Sequence, residues 1–394
     1  MMASHKADVI IVGAGPVGLI TALGLAQQNM SVIVLDKDDQ LNDSPRAQTY
    51  MDPTLQLLAR LGLLEQADRA GVRCPVVNWV WPADDFIIRL DVKKAEPTRV
   101  YPYNIHFGQE VLGAMAMEAF LKHSQSEMRF NHHVVGIDQG PDGATVTCET
   151  PNGTELFHGD WVIGADGASS TVREKILGLS FDGFSWPDRF ITTNVHYDFG
   201  AFGWAHTHMI CNGNDWGLVS RINRDDLWRV TFGEDANGTM EQWESSIPKH
   251  YSSIMPTDEP YEIESWAPYR VHERCASTFF VDRVILAGDS AHICNPCGGR
   301  GLTGGLQDVD HLLQSFERIG KGGDPVKELN EYAETRRNVF LETNSPFAQM
   351  MKHTWQRTDR DEQRKDQERI ATVAQGQSNI SMTGLDGRSI QEAS

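Results

Sequence analysis

Apolar positions gather along the chain in three distinct rhythms. ADVIIVG (residues 7–13) and SVIVLD (31–36) are apolar without alternation, as strands buried on both faces must be. PVGLITALGLAQQN, between them, carries apolar residues at helical spacing, so the N-terminal stretch predicts a strand–turn–helix–strand unit. Leu55, Leu57, Leu58, Leu61, Leu63 and Leu64 predict a helical stretch over 52–70, and QEVLGAMAMEAFLKHS predicts another over 109–124. HHVVGIDQ, GATVTCET and ELFHGDWVIGADG then follow, separated by the turn sequences PDG and PNG. They predict a β-meander ending in a buried strand at 161–165.

From about 180 to 280 the rhythm changes. RFITTNVHYDF, THMICN, WGLVSRI and LWRVTFG are rich in aromatic and β-branched residues and predict a mostly antiparallel sheet inserted into the first domain. RVILAGD returns to a buried strand, a glycine-rich loop follows, and helices are predicted over 306–319 and 326–343. The expected fold is therefore α/β. A Rossmann-type domain spans 1–75, 106–178 and 281–345, and a β-sheet substrate domain spans 76–105 and 179–280. The stretch 346–394 is expected to be a helical, partly disordered polar tail, from about Asp359 a solvated helix trailing into disorder.

Charge narrows the partners. A formal net charge of −19 speaks against nucleic acid, which rewards basic surface. No apolar run is long enough to cross a membrane, and the start lacks the pattern of a secretory signal, so a cytoplasmic protein is expected. Six scattered cysteines do not resemble a disulfide framework. Cys294 and Cys297 form a CxxC, but inside a loop that another motif claims, and no second CxxC or histidine cluster suggests zinc.

Gly13-Ala14-Gly15-Pro16-Val17-Gly18 is a GxGxxG placed between a strand and a helix. Gly13 permits the tight turn, Gly15 lets a pyrophosphate approach the backbone, and Gly18 lets helix and strand pack closely. The helix start at Pro16 supplies its positive dipole end. Asp36 closes the next strand, where a carboxylate can accept from an adenosine ribose and disfavours a 2′-phosphate. NAD and FAD both satisfy this motif.

Two later segments distinguish them. Gly164-Ala165-Asp166-Gly167 ends one strand and leads toward Arg173; Ala287-Gly288-Asp289 ends another and leads into Pro296-Cys297-Gly298-Gly299-Arg300-Gly301-Leu302-Thr303. A carboxylate at Asp289 can meet a ribityl chain, and the glycine loop offers backbone N–H groups to a flavin pyrimidine. Together these motifs resemble the class A FAD-dependent aromatic monooxygenases, the para-hydroxybenzoate hydroxylase-like family, over about residues 7–345. Arg46 in SPRA and Gln109 at its helix start match positions that contact FAD in that family. Asp166 and Arg173 match its segment serving both FAD and reduced nicotinamide, and Pro296, Gly299, Gly301 and Leu302 match its flavin loop. Thr303 stands where members usually carry Asn.

The resemblance implies FAD as cofactor, NADPH or NADH and O2 as co-substrates, and a small aromatic, phenol-like substrate, in a monomer or homodimer. Oxygen transfer would run through a C4a-hydroperoxyflavin, with Pro296 part of the wall excluding water. A base that ionises the phenol would help, and His206, His208, Tyr197 and Arg229 are candidates in the inserted sheet. Ser169 and Ser170 read as helix caps, and His292 as a packing or capping group. The same fold also hosts Baeyer–Villiger insertion, epoxidation and oxidative dearomatisation or decarboxylation. It serves O2-independent reductases and dehydrogenases as well, and sequence leaves these readings open.

Overall fold

The computed structural model describes residues 4–42 and 47–377, and Arg46 lies outside them. Strand Ser4–Val12 lies parallel to Val32–Leu35 on one side and to Gly153–Gly164 on the other; Val32–Leu35 continues to Ser126–Arg129, and Gly153–Gly164 to Val284–Leu286. Its central strands are buried on both faces, in one core with helices Pro16–Gln27 and Arg300–Gly320, which pack against each other, and this is why they are apolar without alternation. The expected meander is present as Gly153–Gly164 with hairpin partners Gly143–Thr150 and His133–Gly140. The fold is the expected α/β one.

A second eight-stranded sheet gathers Val76–Trp81, Phe86–Asp91, Phe181–His196, Thr207–Ile210, Gly217–Arg221, Leu227–Asp235 and Glu262–Ala276. Its last member, His292–Ile293, belongs by sequence to the first domain. The chain leaves the first sheet after Leu286, turns through Gly288–Ser290, and pairs with Arg274 and Cys275 of the second, so the glycine loop is strung between the two sheets. A small sheet of Thr49–Tyr50, Asn104–His106 and Val72–Cys74 closes the gap beside it.

Three details differ from the sequence reading. The helical stretch over 52–70 is broken by Gly62, whose φ of 75° ends one helix at Arg60 before Leu64–Ala70 begins. A helix, Met240–Ile254, lies in the inserted region, started by a capping box between Thr239 and Gln242. It buries Trp243, Ile247, Tyr251 and Ile254 against the sheet. The stretch after 345 is not a solvated tail as far as Ala374. Ser345–Gln356 and Arg360–Ala374 cover the other face of the second sheet, with Phe347, Met351, Trp355, Ile370 and Val373 packed among Trp79, Trp81 and Phe190. Apolar residues there are few but fall on one face, and burial follows the face rather than the average. Residues 378–394, where disorder was expected, lie outside the described residues.

Candidate active site

The nucleotide end is built from backbone. Gly13 has φ of 109°, and a Cβ there would meet the Ala165 carbonyl oxygen at 2.4 Å; one on Gly18 would meet the Gly13 carbonyl oxygen at 2.0 Å. The turn therefore closes only without side chains. Gly15, the N-cap of Pro16–Gln27, is different: a Cβ there meets nothing within 4 Å, so the helix start opens onto free space. Asp36 accepts from the Ala14 N–H at 2.5 Å with one carboxylate oxygen and from the Asp38 N–H at 2.9 Å with the other. It thus fixes the turn as well as closing the strand. Gln109 stands at the first position of helix Gln109–Phe120, half-buried beside this turn's helix.

Asp166 and Arg173 are committed internally. Asp166 accepts from Ser170 Oγ and from the Val172 N–H at 3.1 Å, and burial raises its pKa. Arg173, on the five-residue turn Val172–Ile176, donates to the carbonyls of Ser290 (3.0 Å) and Ala168 (2.9 Å) and lies 3.7 Å over the Phe181 ring. It fastens the DG segment to the GD segment. Ser170 Oγ takes the Arg173 N–H, the cap expected of it. Asp289 stands exposed at the strand end. Beneath it, buried Asp308 accepts from the Gly288 N–H, His292 Nε2 and Arg336 Nε, at 3.0, 2.7 and 2.7 Å. Burial opposes the Asp308 charge, yet His292 and Arg336 outweigh it and hold the carboxyl below its ordinary value.

The end that the sequence matches to a flavin loop is 295–302. Asn295 and Cys297 are fully buried, Pro296 between them is exposed, and the Gly299 N–H returns to the Pro296 carbonyl at 3.0 Å. Half-buried Leu302 lies one residue beyond Gly301, where a Cβ would meet nothing within 4 Å. Arg300, unnoticed by sequence reasoning, is 1% exposed and lies 4.2 Å over Phe347. None of its three guanidinium nitrogens has an acceptor among the described residues, and burial pushes its pKa down to about 9. A buried cation without acceptors is costly, so an acceptor-rich group belongs beside this loop. Open backbone at Gly15 and Gly301, an exposed acid at Asp289 and this guanidinium fit a flavin dinucleotide along its length.

A polar cluster lies where the small sheet meets the second sheet. Arg229 is buried there, donates from Nε to Asn194 Oδ1 at 3.1 Å, and is pushed down to about 10 by burial. Tyr50 stacks on Phe107 at 4.1 Å, and its hydroxyl has no partner among the described residues. Burial, then Glu110, raise its pKa, and Arg229 is close enough to act against them. Tyr269 is raised by burial and likewise senses Arg229. His106 donates from Nδ1 to the Arg221 carbonyl at 3.0 Å, which leaves Nε2 as acceptor for the Thr207 hydroxyl at 3.4 Å, and burial lowers its pKa to about 4. Gln48 donates to Ser220 Oγ beside them.

Of the sequence candidates, Arg229 belongs to this cluster. His206 is half-buried, contacts the Arg73 carbonyl through Nδ1 at 3.2 Å, and lies at the cluster's edge near Trp228. His208 stacks on Trp204 at 3.9 Å, and Tyr197 bonds Thr257 inside an aromatic group away from the loop. Tyr50, Tyr269 and His106 escaped sequence reasoning. The one signal for His106 was its place three residues before Gln109.

Fold, glycine turn and flavin-facing loop together define a class A FAD-dependent aromatic monooxygenase, with reduced nicotinamide as co-substrate. The chain belongs to the FAD binding domain family, which matches residues 6–343. It is 38% identical over 343 residues to para-nitrophenol 4-monooxygenase of Pseudomonas sp. (strain WBC-3), covering 86% of this chain and 85% of that one. It is also 38% identical over 345 residues to 6-hydroxy-3-succinoylpyridine 3-monooxygenase of Pseudomonas putida (strain DSM 28022 / S16), covering 88% of each. The crystal structure of p-nitrophenol 4-monooxygenase from Pseudomonas putida DLL-E4 superposes with a TM-score of 0.92 at 35% identity, over 99% of this chain and 100% of that one. Among the described residues no helix is long and apolar enough to cross a membrane.

Proposed function

We propose that the chain hydroxylates a small single-ring phenol or hydroxypyridine at the carbon para to the ring hydroxyl, displacing the substituent already there. The observation that carries this is shared by the two 38% identical relatives. In each name the oxygenated position is the ring carbon that bears the substituent, and in each it lies para to a hydroxyl.

The chemistry asks three things of the protein. FAD, reduced by nicotinamide, supplies an electrophilic oxygen from O2. The ring must be electron-rich at its para carbon, which requires negative charge on the ring oxygen. Arg229, a cation at neutral pH, would hold that oxygen as phenolate, with Tyr50 and Tyr269 as hydroxyl donors and His106 Nε2, which meets Thr207 Oγ1, as a nitrogen acceptor. The third need is dryness. Pro296, exposed between two buried anchors, forms the wall on the flavin side.

For para-nitrophenol the balance closes simply. Oxygen adds to the nitro-bearing carbon, the C–N bond breaks with its electron pair leaving as nitrite, and the ring becomes the quinone. The second oxygen atom of O2 becomes water, and one reduced nicotinamide is consumed.

The test is to supply para-nitrophenol and NADPH or NADH to the FAD-loaded enzyme and measure nitrite and ring products. Nitrite released in step with nicotinamide oxidised supports displacement. A catechol retaining the nitro group would overturn it in favour of ortho hydroxylation.

A further inference from the structure

Glu273 stands near the C-terminal end of strand Glu262–Ala276, outside the polar cluster, and is 4% exposed. Its carboxylate collects four donors from three parts of the molecule. Trp186 Nε1 reaches it from the second sheet at 3.2 Å, and Ser345 Oγ reaches it from the start of helix Ser345–Gln356 at 2.6 Å. The remaining two come from the flavin-facing loop, the Asn295 N–H at 3.0 Å and the Asn295 side-chain amide. Asn295 in turn accepts the Cys297 N–H through Oδ1 at 2.9 Å. The exposed Pro296 is thus held on both sides by one buried residue, and that residue is held by Glu273.

All four donors are neutral, and no ion pair of Glu273 is found among the described residues. A buried carboxylate compensated only by neutral donors is an expensive way to join three elements. What it offers is an acceptor with no donor of its own. A glutamine would turn an N–H either toward Asn295, which offers only donors there, or toward Ser345, whose hydroxyl already accepts from Gln349 and would have to turn its proton away. The backbone reinforces the point, since the residues next to Glu273, Arg274 and Cys275, pair with Ile293 and His292 just before the loop departs.

We propose that Glu273 is the positioning residue for the flavin-facing Pro296 turn. It registers that turn against the substrate sheet, so that oxygen goes to the ring instead of being lost as hydrogen peroxide. The role rests on the flavin monooxygenase reading above but not on the identity of the substrate.

The test compares Glu273→Gln, Asn295→Ser and Ser345→Ala, each as the FAD-loaded full chain. Two quantities are read: the visible circular dichroism of the bound flavin, which needs no substrate, and the fraction of nicotinamide-derived electrons recovered as H2O2 with a para-substituted phenol. Glu273→Gln is expected to change the flavin dichroism and raise the H2O2 fraction at least about threefold, because a displaced wall admits water. Asn295→Ser should do the same, and it carries the test alone if Glu273→Gln does not fold. Ser345→Ala removes the helix-side bond to Glu273, together with the Gln349 bond within the helix, and should lower Tm while leaving dichroism and H2O2 fraction as in the parent. The proposal is overturned if the loop variants match the parent in both readouts. It is equally overturned if Ser345→Ala shifts both as much as they do, which would reduce the network to general stability. Should no phenol be turned over by the parent, the substrate assignment fails by itself, and the dichroism comparison still decides the role of Glu273.

Discussion

Arg229 has surrendered most of its hydration and keeps its charge at neutral pH. Its place is explained if it meets a negative ring oxygen. Arg229→Met should then lower kcat/KM for phenols by roughly 100-fold, about 3 kcal/mol, while leaving FAD content unchanged. Equal kcat/KM in variant and parent would remove Arg229 from substrate binding. Three imidazoles give a separate residue-scale expectation. Burial holds His106, His208 and His311 down to about 4. Each is neutral in the fold where an unfolded chain would bind a proton. The stability they contribute is complete above about pH 6.5 and is lost as pH falls toward 4, on the order of 3 kcal/mol for each. His311 is the simplest to isolate, since neither ring nitrogen has a partner among the described residues. His311→Leu should leave Tm at pH 7 unchanged or higher and flatten its decline between pH 6.5 and 4.5. An unaltered slope would refute the assignment.

The glycine turn offers a matched pair of tests at the scale of elements. Gly18→Ala drives a methyl into the Gly13 carbonyl, so the helix must shift off the strand. Both Tm and FAD affinity should fall, the latter by at least about 30-fold, roughly 2 kcal/mol. Gly15→Ala meets no protein atom, so Tm of the FAD-free chain should hold while FAD affinity falls alone. Titration of FAD into the stripped proteins, with melting curves alongside, checks both; intact affinity in Gly15→Ala would mean the pyrophosphate lies elsewhere. This turn was legible in the sequence because its geometry is local: strand, three glycines, helix and Asp36 lie within one unit. Many strands of both sheets were legible through their apolar or aromatic rhythm, although Val76–Trp81, Phe86–Asp91 and Glu262–Ala276 were not. The polar cluster was not. Tyr50, His106, Arg229 and Tyr269 come from four distant segments, and each alone looks like an ordinary strand residue. Glu273 was equally silent, since Asn295 and Ser345 become its partners only once two sheets and a helix converge.

For the molecule as a whole, the second sheet is enclosed by chain that the sequence rendered as a polar tail. Helix Arg360–Ala374 has few apolar residues, yet Ile370 and Val373 are 0% and 1% exposed, packed toward the strand Phe86–Asp91 and the short helix after it. Arg360 bonds Asp84, and Asp366 takes Arg357 and Arg369, so the helix is pinned at several points around that apolar contact. Burying two such side chains is worth about 3–6 kcal/mol as an upper bound. None of these contacts reaches the glycine turn. A chain ending at Thr358 should therefore still bind FAD with parental affinity, because the first sheet and its helices are untouched. Its second sheet, however, loses cover over strands that flank the substrate side. The shortened protein should melt several degrees lower and show a raised H2O2 fraction during turnover, since a loosened sheet no longer holds ring and flavin wall in register. A lower Tm with unchanged H2O2 fraction would make the helix a stabilising cover only. An unchanged Tm would mean that the second sheet stands without it, and that the ion pairs of the buried Asp366 carry little net stability.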